Sequence, residues 1–159
     1  MTPETHLIGL ISDTHGLLRS DVFEALAGVD RILHAGDVGD GVLEELEAIA
    51  PVAAVCGNVD APGDPRLARE IEEVIGGVRV RVSHGHEAGS PSPARLLELY
   101  DADVIVYGHT HRPLVVQVGG RWVVNPGAAG PRRFDILPSV ALLRIAAGEV
   151  TVAHVALRA

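Results

Sequence analysis

A chain of 159 residues, 47% hydrophobic and 21% charged, has the composition of a folded protein and excludes a disordered tract. Its net charge of −8, with no basic block, argues against a protein that coats nucleic acid electrostatically. All 13 basic residues are arginine, which excludes lysine Schiff-base chemistry and a P-loop lysine, and the single cysteine excludes an intramolecular disulfide and a cysteine-rich zinc site.

In chain order, residues 7–12 form an apolar run that predicts a buried strand. Residues 20–27 predict a helix, 31–35 a strand, 42–49 a helix and 52–56 a third strand. This alternation implies a parallel sheet with right-handed crossovers. Cys56 closes the third strand and is expected to be a core thiol.

The character then changes. Residues 71–75 and 78–83 flank Gly76 and Gly77, a hairpin signal. Residues 93–100 predict a helix with Pro93 in its first turn, and 103–107 another apolar strand. Residues 114–118 and 121–124 flank Gly119 and Gly120, while 140–145 and 150–155 pair around Ala147, Gly148 and Glu149. The second half therefore reads as largely antiparallel. The expectation for residues 1–159 is a single α/β domain of two packed sheets with helices outside. No apolar run approaches the roughly 20 residues of a membrane helix. Residues 1–10 carry no basic-then-apolar leader. A cytoplasmic protein with no membrane partner is expected.

Five of the predicted strands are followed at once by polar residues able to bind metal. The first leads to Asp13 and His15, the second to Asp37, the third to Asn58, the fourth to His84, and the fifth to His109 and His111. Ligands of open α/β sheets bind beyond the carboxyl ends of strands. Neighbouring strands lie about 4.8 Å apart, so these residues can converge. In extended chain, residues i and i+2 point the same way, which would turn Asp13 with His15, and His109 with His111, toward one centre. Gly16, Gly36, Gly57 and Gly108 let the chain turn at these points. Carboxylate, carboxamide and imidazole suit manganese, nickel, iron or zinc, with no thiolate to force zinc. Seven candidate ligands are too many for one catalytic ion and suit two.

The ordered set Asp13-x-His15, Gly36-Asp37, Gly57-Asn58, His84 and Gly108-His109-x-His111, continued by Asn125-Pro126-Gly127, resembles the calcineurin-like metallophosphoesterase superfamily. The short chain resembles its compact bacterial and archaeal phosphodiesterase branch. The resemblance implies a four-layer α/β/β/α sandwich of two mixed sheets flanked by helices. It implies two divalent ions, manganese favoured. Asp13, His15 and His111 would hold one ion and Asn58, His84 and His109 the other, with Asp37 shared. Asp37 and Asn58 are the catalytic candidates, and a bridging hydroxide would attack the phosphorus of a phosphodiester. The same motifs admit a phosphomonoesterase. A protein-binding scaffold like the retromer subunit of this fold is a third reading. A phosphate-ester substrate is the expected partner, stable nucleic-acid binding is not expected, and self-association is compatible with the resemblance.

Other residues keep two readings. His34 and His86 flank ligand positions, and His34 lies within a strand where a hydrogen-bonded core histidine fits equally well. His6 and His154 are expected at the surface, and Trp122 in the core or an interface. Either Arg132 or Arg133 could bind phosphate, or both could be solvated. Many members of the superfamily carry a histidine after the motif asparagine; here Val59 stands there and cannot transfer a proton.

Overall fold

The computed structural model describes residues 4–132 and 135–158. Strand β1 (Thr5–Ile11) begins a β/α alternation with α1 (Asp21–Ala25), β2 (Arg31–His34), α2 (Val42–Glu47) and β3 (Val52–Val55). A two-residue strand, β4 (Leu67–Ala68), follows. β5 (Ile71–Ile75) and β6 (Val78–Val82) form the hairpin expected around Gly76 and Gly77. A single 3-10 turn at His86–Ala88 and helix α3 (Pro93–Leu99) lead to β7 (Val104–Val106). Hairpins β8 (Leu114–Val118) with β9 (Arg121–Asn125), and β10 (Ser139–Ala146) with β11 (Glu149–Ala156), complete the chain.

Both sheets are mixed. The first runs β11-β10-β1-β2-β3-β4, with β1 to β4 parallel and β10 antiparallel to β1. The second runs β5-β6-β7-β9-β8, and its centre, β6-β7-β9, is parallel. The second half is thus less antiparallel than its hairpin signals suggest. The cause is α3, which carries the chain from β6 to β7 as a crossover and keeps those strands parallel.

Period-two alternation sorts the apolar side chains into three packed seams. Ile8, Leu10, Leu33, Val80, Val82, Val104 and Val106 meet between the sheets. Ile11, Ile32 and Ala54, on the opposite face of the first sheet, pack against Val22 of α1 and Val42 and Leu46 of α2. Ile105, Tyr107 and Val123, on the outer face of the second, pack against Leu96 of α3. The result is the four-layer α/β/β/α sandwich. Trp122 is partly buried against the inter-sheet seam.

The helices are shorter than the periodicity suggests. α1 gives way to turns before Gly28, whose φ of 84° belongs to a left-handed turn, and residues 48–49 form turns. α3 starts as expected: Pro93 lies in its first turn and Ser92 Oγ accepts from the Arg95 amide at 3.2 Å. No helix among the described residues is long and apolar enough to cross a membrane.

Candidate metal centre

The parallel strands β1, β2, β3, β6 and β7 end on one side of the sandwich, and each passes into a loop carrying candidate ligands. Two groups of donor atoms form there, each with its atoms within 4.8 Å of one another: Asp13, His15 and His111 in one, Asp13, Asp37 and His84 in the other. Asp13 Oδ1 stands 3.3 Å from His111 Nε2, and 3.9 Å from both His15 Nε2 and His84 Nε2. Asp37 Oδ2 lies 3.2 Å from His84 Nε2 and 3.8 Å from His15 Nε2. Asp13 and Thr14 are fully buried, Asp37 and His84 nearly so, and the His15 side chain is 27% exposed.

Asp13 Oδ1, His15 Nε2 and His84 Nε2 are buried and have no hydrogen-bond partner, so these approaches lie outside hydrogen-bond alignment. Buried polar atoms are normally satisfied, and carboxylate and imidazole donors facing one another across 3–4 Å suit a divalent ion. The donor set therefore fits metal. The tautomer of His84 fits too. Its Nδ1 donates to the Ala35 carbonyl at 2.8 Å, so in the neutral imidazole Nε2 is the unprotonated nitrogen and faces the aspartates.

The electrostatics keep both carboxylates charged. Burial pushes Asp37 up, but its contact with His84, the Val59 N–H at 3.0 Å and the charges of His84 and His15 outweigh that and hold it at about 2. Burial raises Asp13 likewise, and His111, His84 and the Ser12 hydroxyl bring it below its usual value. Burial lowers His84, yet Asp37 and Asp13 raise it above its ordinary value.

The ligand loops are not extended. Asp13, His15, Asp37, His109 and His111 have φ of 53°, 48°, 55°, 69° and 63°, in the left-handed region that non-glycine residues seldom occupy. Asp13 and His15 do converge, through a tight turn and not through strand alternation. His109 and His111 part company. The His111 ring lies 5.3 Å from that of His15, the His109 ring 5.2 Å from that of His84. Among the described residues His109 joins neither donor group, although its amide donates to Asp13 Oδ2 at 3.2 Å. Asn58 is exposed in a turn at the edge of the site and, unlike five of the other ligand candidates, has no left-handed φ.

Several residues support the ligands, Ser12 and Asp60 from positions that carried no signal of their own and Asn125 from the Asn125-Pro126-Gly127 segment. Ser12 Oγ donates to Asp13 Oδ2 at 2.6 Å. Asp60 accepts from the amides of Val38, Gly39 and Gly57 and so ties the Asn58 loop to the Asp37 loop. Asn125 Nδ2 donates to Gly108 O and Thr110 Oγ1, and its Oδ1 accepts from the Gly127 amide, which holds the His109–His111 turn. Glycine is obligatory at two points beside the carboxylates. A Cβ on Gly57 would fall on the Asp37 carboxylate and amide, and one on Gly108 would overlap Ser12 Oγ and Asp13 Oδ2.

His34 resolves as a core histidine. Its Nδ1 accepts from the Gly36 amide at 3.0 Å, and its Nε2 faces Thr14 Oγ1 at 3.0 Å while that hydroxyl donates to Val38 O. Both ring nitrogens are engaged, so neither is left for a metal. His86 is exposed, with its ring 5.4 Å from that of His84, at the mouth of a cleft of about 810 Å³. Cys56 is half-buried on that cleft and not in the core, because β3 ends at Val55. His154 is exposed, but its Nε2 lies 2.7 Å from Asn125 O and links β11 of the first sheet to β9 of the second. Arg132 is exposed beside His111, and Arg133 lies outside the described residues.

An α/β/β/α sandwich with carboxylate and imidazole donors gathered at its strand ends defines an α/β metallohydrolase. The chain belongs to the calcineurin-like phosphoesterase superfamily, whose domain model matches residues 7–148. It is 40% identical over 149 residues to a probable metallophosphoesterase of Methanothermobacter thermautotrophicus, covering 87% of this chain and 86% of that protein. It is 30% identical over 143 residues to a phosphodiesterase of Methanocaldococcus jannaschii, covering 76% and 82%. Among solved structures, vacuolar protein sorting 29 of Cryptosporidium parvum superposes with a TM-score of 0.81 over 99% of both chains at 24% identity, a likeness of fold.

Proposed function

We propose that the chain is a phosphodiesterase that depends on two divalent metal ions. The observation that carries this is the convergence of buried, unpartnered Asp13 Oδ1, His15 Nε2 and His84 Nε2 beside the ionised Asp37. Asp13, His15 and His111 would hold one ion, and Asn58, His84 and His109 the other, with Asp37 shared. Asp13 belongs to both donor groups, so its carboxylate would lie within reach of both ions. Manganese is favoured, and nickel, zinc and iron suit the same oxygen and nitrogen donors.

Ions held there would acidify a water and offset the charge that builds on the phosphate oxygens. This chain's own residues do the rest. His84 keeps its ligating nitrogen free through the Ala35 carbonyl, and Asn58 offers a neutral carboxamide at the cleft edge. Val59, 62% exposed after Asn58, supplies no proton to a leaving group. The cleft beyond Asn58, about 810 Å³, has room for the second ester arm that distinguishes a diester from a monoester.

The test is hydrolysis of bis(4-nitrophenyl) phosphate beside 4-nitrophenyl phosphate. Metal-stripped protein receives manganese, nickel, zinc or iron singly, with Asp37→Ala in parallel. Metal-restored diester cleavage that is lost in the variant is expected. A preference for the monoester overturns the diester assignment. Stoichiometric metal binding without turnover of either ester overturns the enzymatic reading in favour of a scaffold.

A further inference from the structure

The cleft lined by Asn58 and His86 extends between Leu67 of β4, at the edge of the first sheet, and Arg81 of β6 in the second. Its charged groups are mostly spoken for. Asp60 accepts three backbone amides. Glu87 accepts from the Gly85 amide at 3.0 Å and the Tyr100 hydroxyl at 2.8 Å. Arg81 is buried, with its guanidinium 3.6 Å from the centre of the Tyr100 ring. It donates to Glu70 at 2.5 Å and to Glu72 at 2.7 Å, while its Nε is buried without a partner. Arg69 differs. It is exposed on the cleft wall and, among the described residues, forms no ion pair with any of the carboxylates beside it.

The cleft lining thus holds one guanidinium, Arg81, committed to Glu70 and Glu72, and a second, Arg69, that is exposed and without an ion pair. Arg81 on β6 and His84 just beyond its end are three steps apart in the chain, about 10 Å if extended. A molecule with its phosphorus at the donor cluster can extend an arm of that length into the cleft that Arg69 lines. A guanidinium is suited to carboxylate and phosphate oxygens, which it meets with paired N–H donors.

We propose that this cleft binds a second anionic group on the substrate, with Arg69 as the residue that recognises it. The substrate class is then a phosphodiester with one arm ending in a carboxylate or a further phosphate. This rests on the phosphodiesterase reading and narrows it. Arg69 acts on binding alone, because it lies beyond the reacting atoms.

The experiment measures binding apart from turnover. Manganese-loaded wild type and Arg69→Gln are titrated calorimetrically with three non-hydrolysable phosphonates whose arms are butyl, 4-carboxybutyl and 4-phosphobutyl. Arg69 is exposed, so the variant folds as the parent does. Wild type is expected to bind one or both charged phosphonates about tenfold more tightly than the butyl compound, the scale of a charge-assisted hydrogen bond. Arg69→Gln is expected to bring them to the butyl level and to leave butyl binding unchanged. Equal binding of all three by wild type, or a preference that survives in Arg69→Gln, overturns the proposal. Nitrophenyl diesters with the same arms test the underlying reading separately. If the phosphonates bind as expected and no diester is cleaved, the phosphodiesterase reading fails and the anion site stands.

Discussion

His34 makes the stability of the metal-free protein depend on pH in a calculable way. Burial, against the weaker attraction of Asp13 and Asp60, pushes its imidazole from 6.5 down to about 4. A proton on Nδ1 would also set that nitrogen against the Gly36 N–H it now accepts. The unfolded chain therefore binds a proton at His34 below about 6.5 while the folded chain refuses it until about 4. Stability from this residue is complete above 6.5 and falls with pH through that window. At about 1.4 kcal/mol per pH unit the loss totals about 3 kcal/mol by pH 4. His109, lowered by burial and by the charge of His84, adds a slope of the same sign. His84, raised above its ordinary value, contributes stability that is lost as pH rises, and so acts above this window. The assay is urea unfolding in chelator at half-unit steps from pH 4 to 7.5, for wild type and His34→Gln. Glutamine keeps one donor and one acceptor but does not titrate. Wild type should lose stability steeply below pH 6.5, and the variant, weaker by about 1–2 kcal/mol at pH 7, should show a shallower slope. Parallel curves would refute the reasoning.

Other perturbations address the site directly. Asp37→Ala should lower metal-dependent diester turnover by more than about a hundredfold and reduce bound metal by elemental analysis; retention of both would remove Asp37 from the centre. Gly57→Ala places a methyl group on the Asp37 carboxylate and should cost about 1–3 kcal/mol together with metal affinity, read from the urea midpoint and a metal titration. An unchanged midpoint would show that the loop yields freely. Val59→His, at a position 62% exposed, should raise kcat for alkyl leaving groups while leaving nitrophenyl esters alone. Equal effects on both would deny the missing-proton explanation.

The fold was legible wherever apolar periodicity and glycine pairs coincide. β5 and β6 around Gly76-Gly77, and β8 and β9 around Gly119-Gly120, form where the turn residues place them. What periodicity does not encode is which strands become neighbours. β10 pairs with β1, more than a hundred residues earlier, and β9 lies parallel to β7 although both belong to a region rich in hairpins. β4 escapes detection because two residues have no period. The short helices have a related cause. Their apolar positions continue past the last helical turn, but Gly28 and the approach to Pro51 divert the chain.

The site was legible in composition and less so in geometry. All seven candidate ligands lie in strand-end loops, yet the strand-alternation argument for their convergence does not describe the backbone. Five of them adopt left-handed φ, a conformation that costs each non-glycine residue about 1–3 kcal/mol. Cross-loop hydrogen bonds hold it in place. Asp13 and His15 amides donate to Gly36 and Asp37 carbonyls at 3.0 and 2.9 Å, Gly108 N donates to His84 O at 3.0 Å, and Asp60 ties a further loop through three amides. Each ligand turn is thus braced by the backbone of another. Strain of this kind persists only where the surroundings over-determine it. Here the bracing comes from glycines too tight for a Cβ and from carbonyls that face neighbouring loops, features that only pairing of the strands brings together. Asp and His are among the residues that tolerate left-handed backbone best, so the same side chains that suit a metal also suit the turns that aim them.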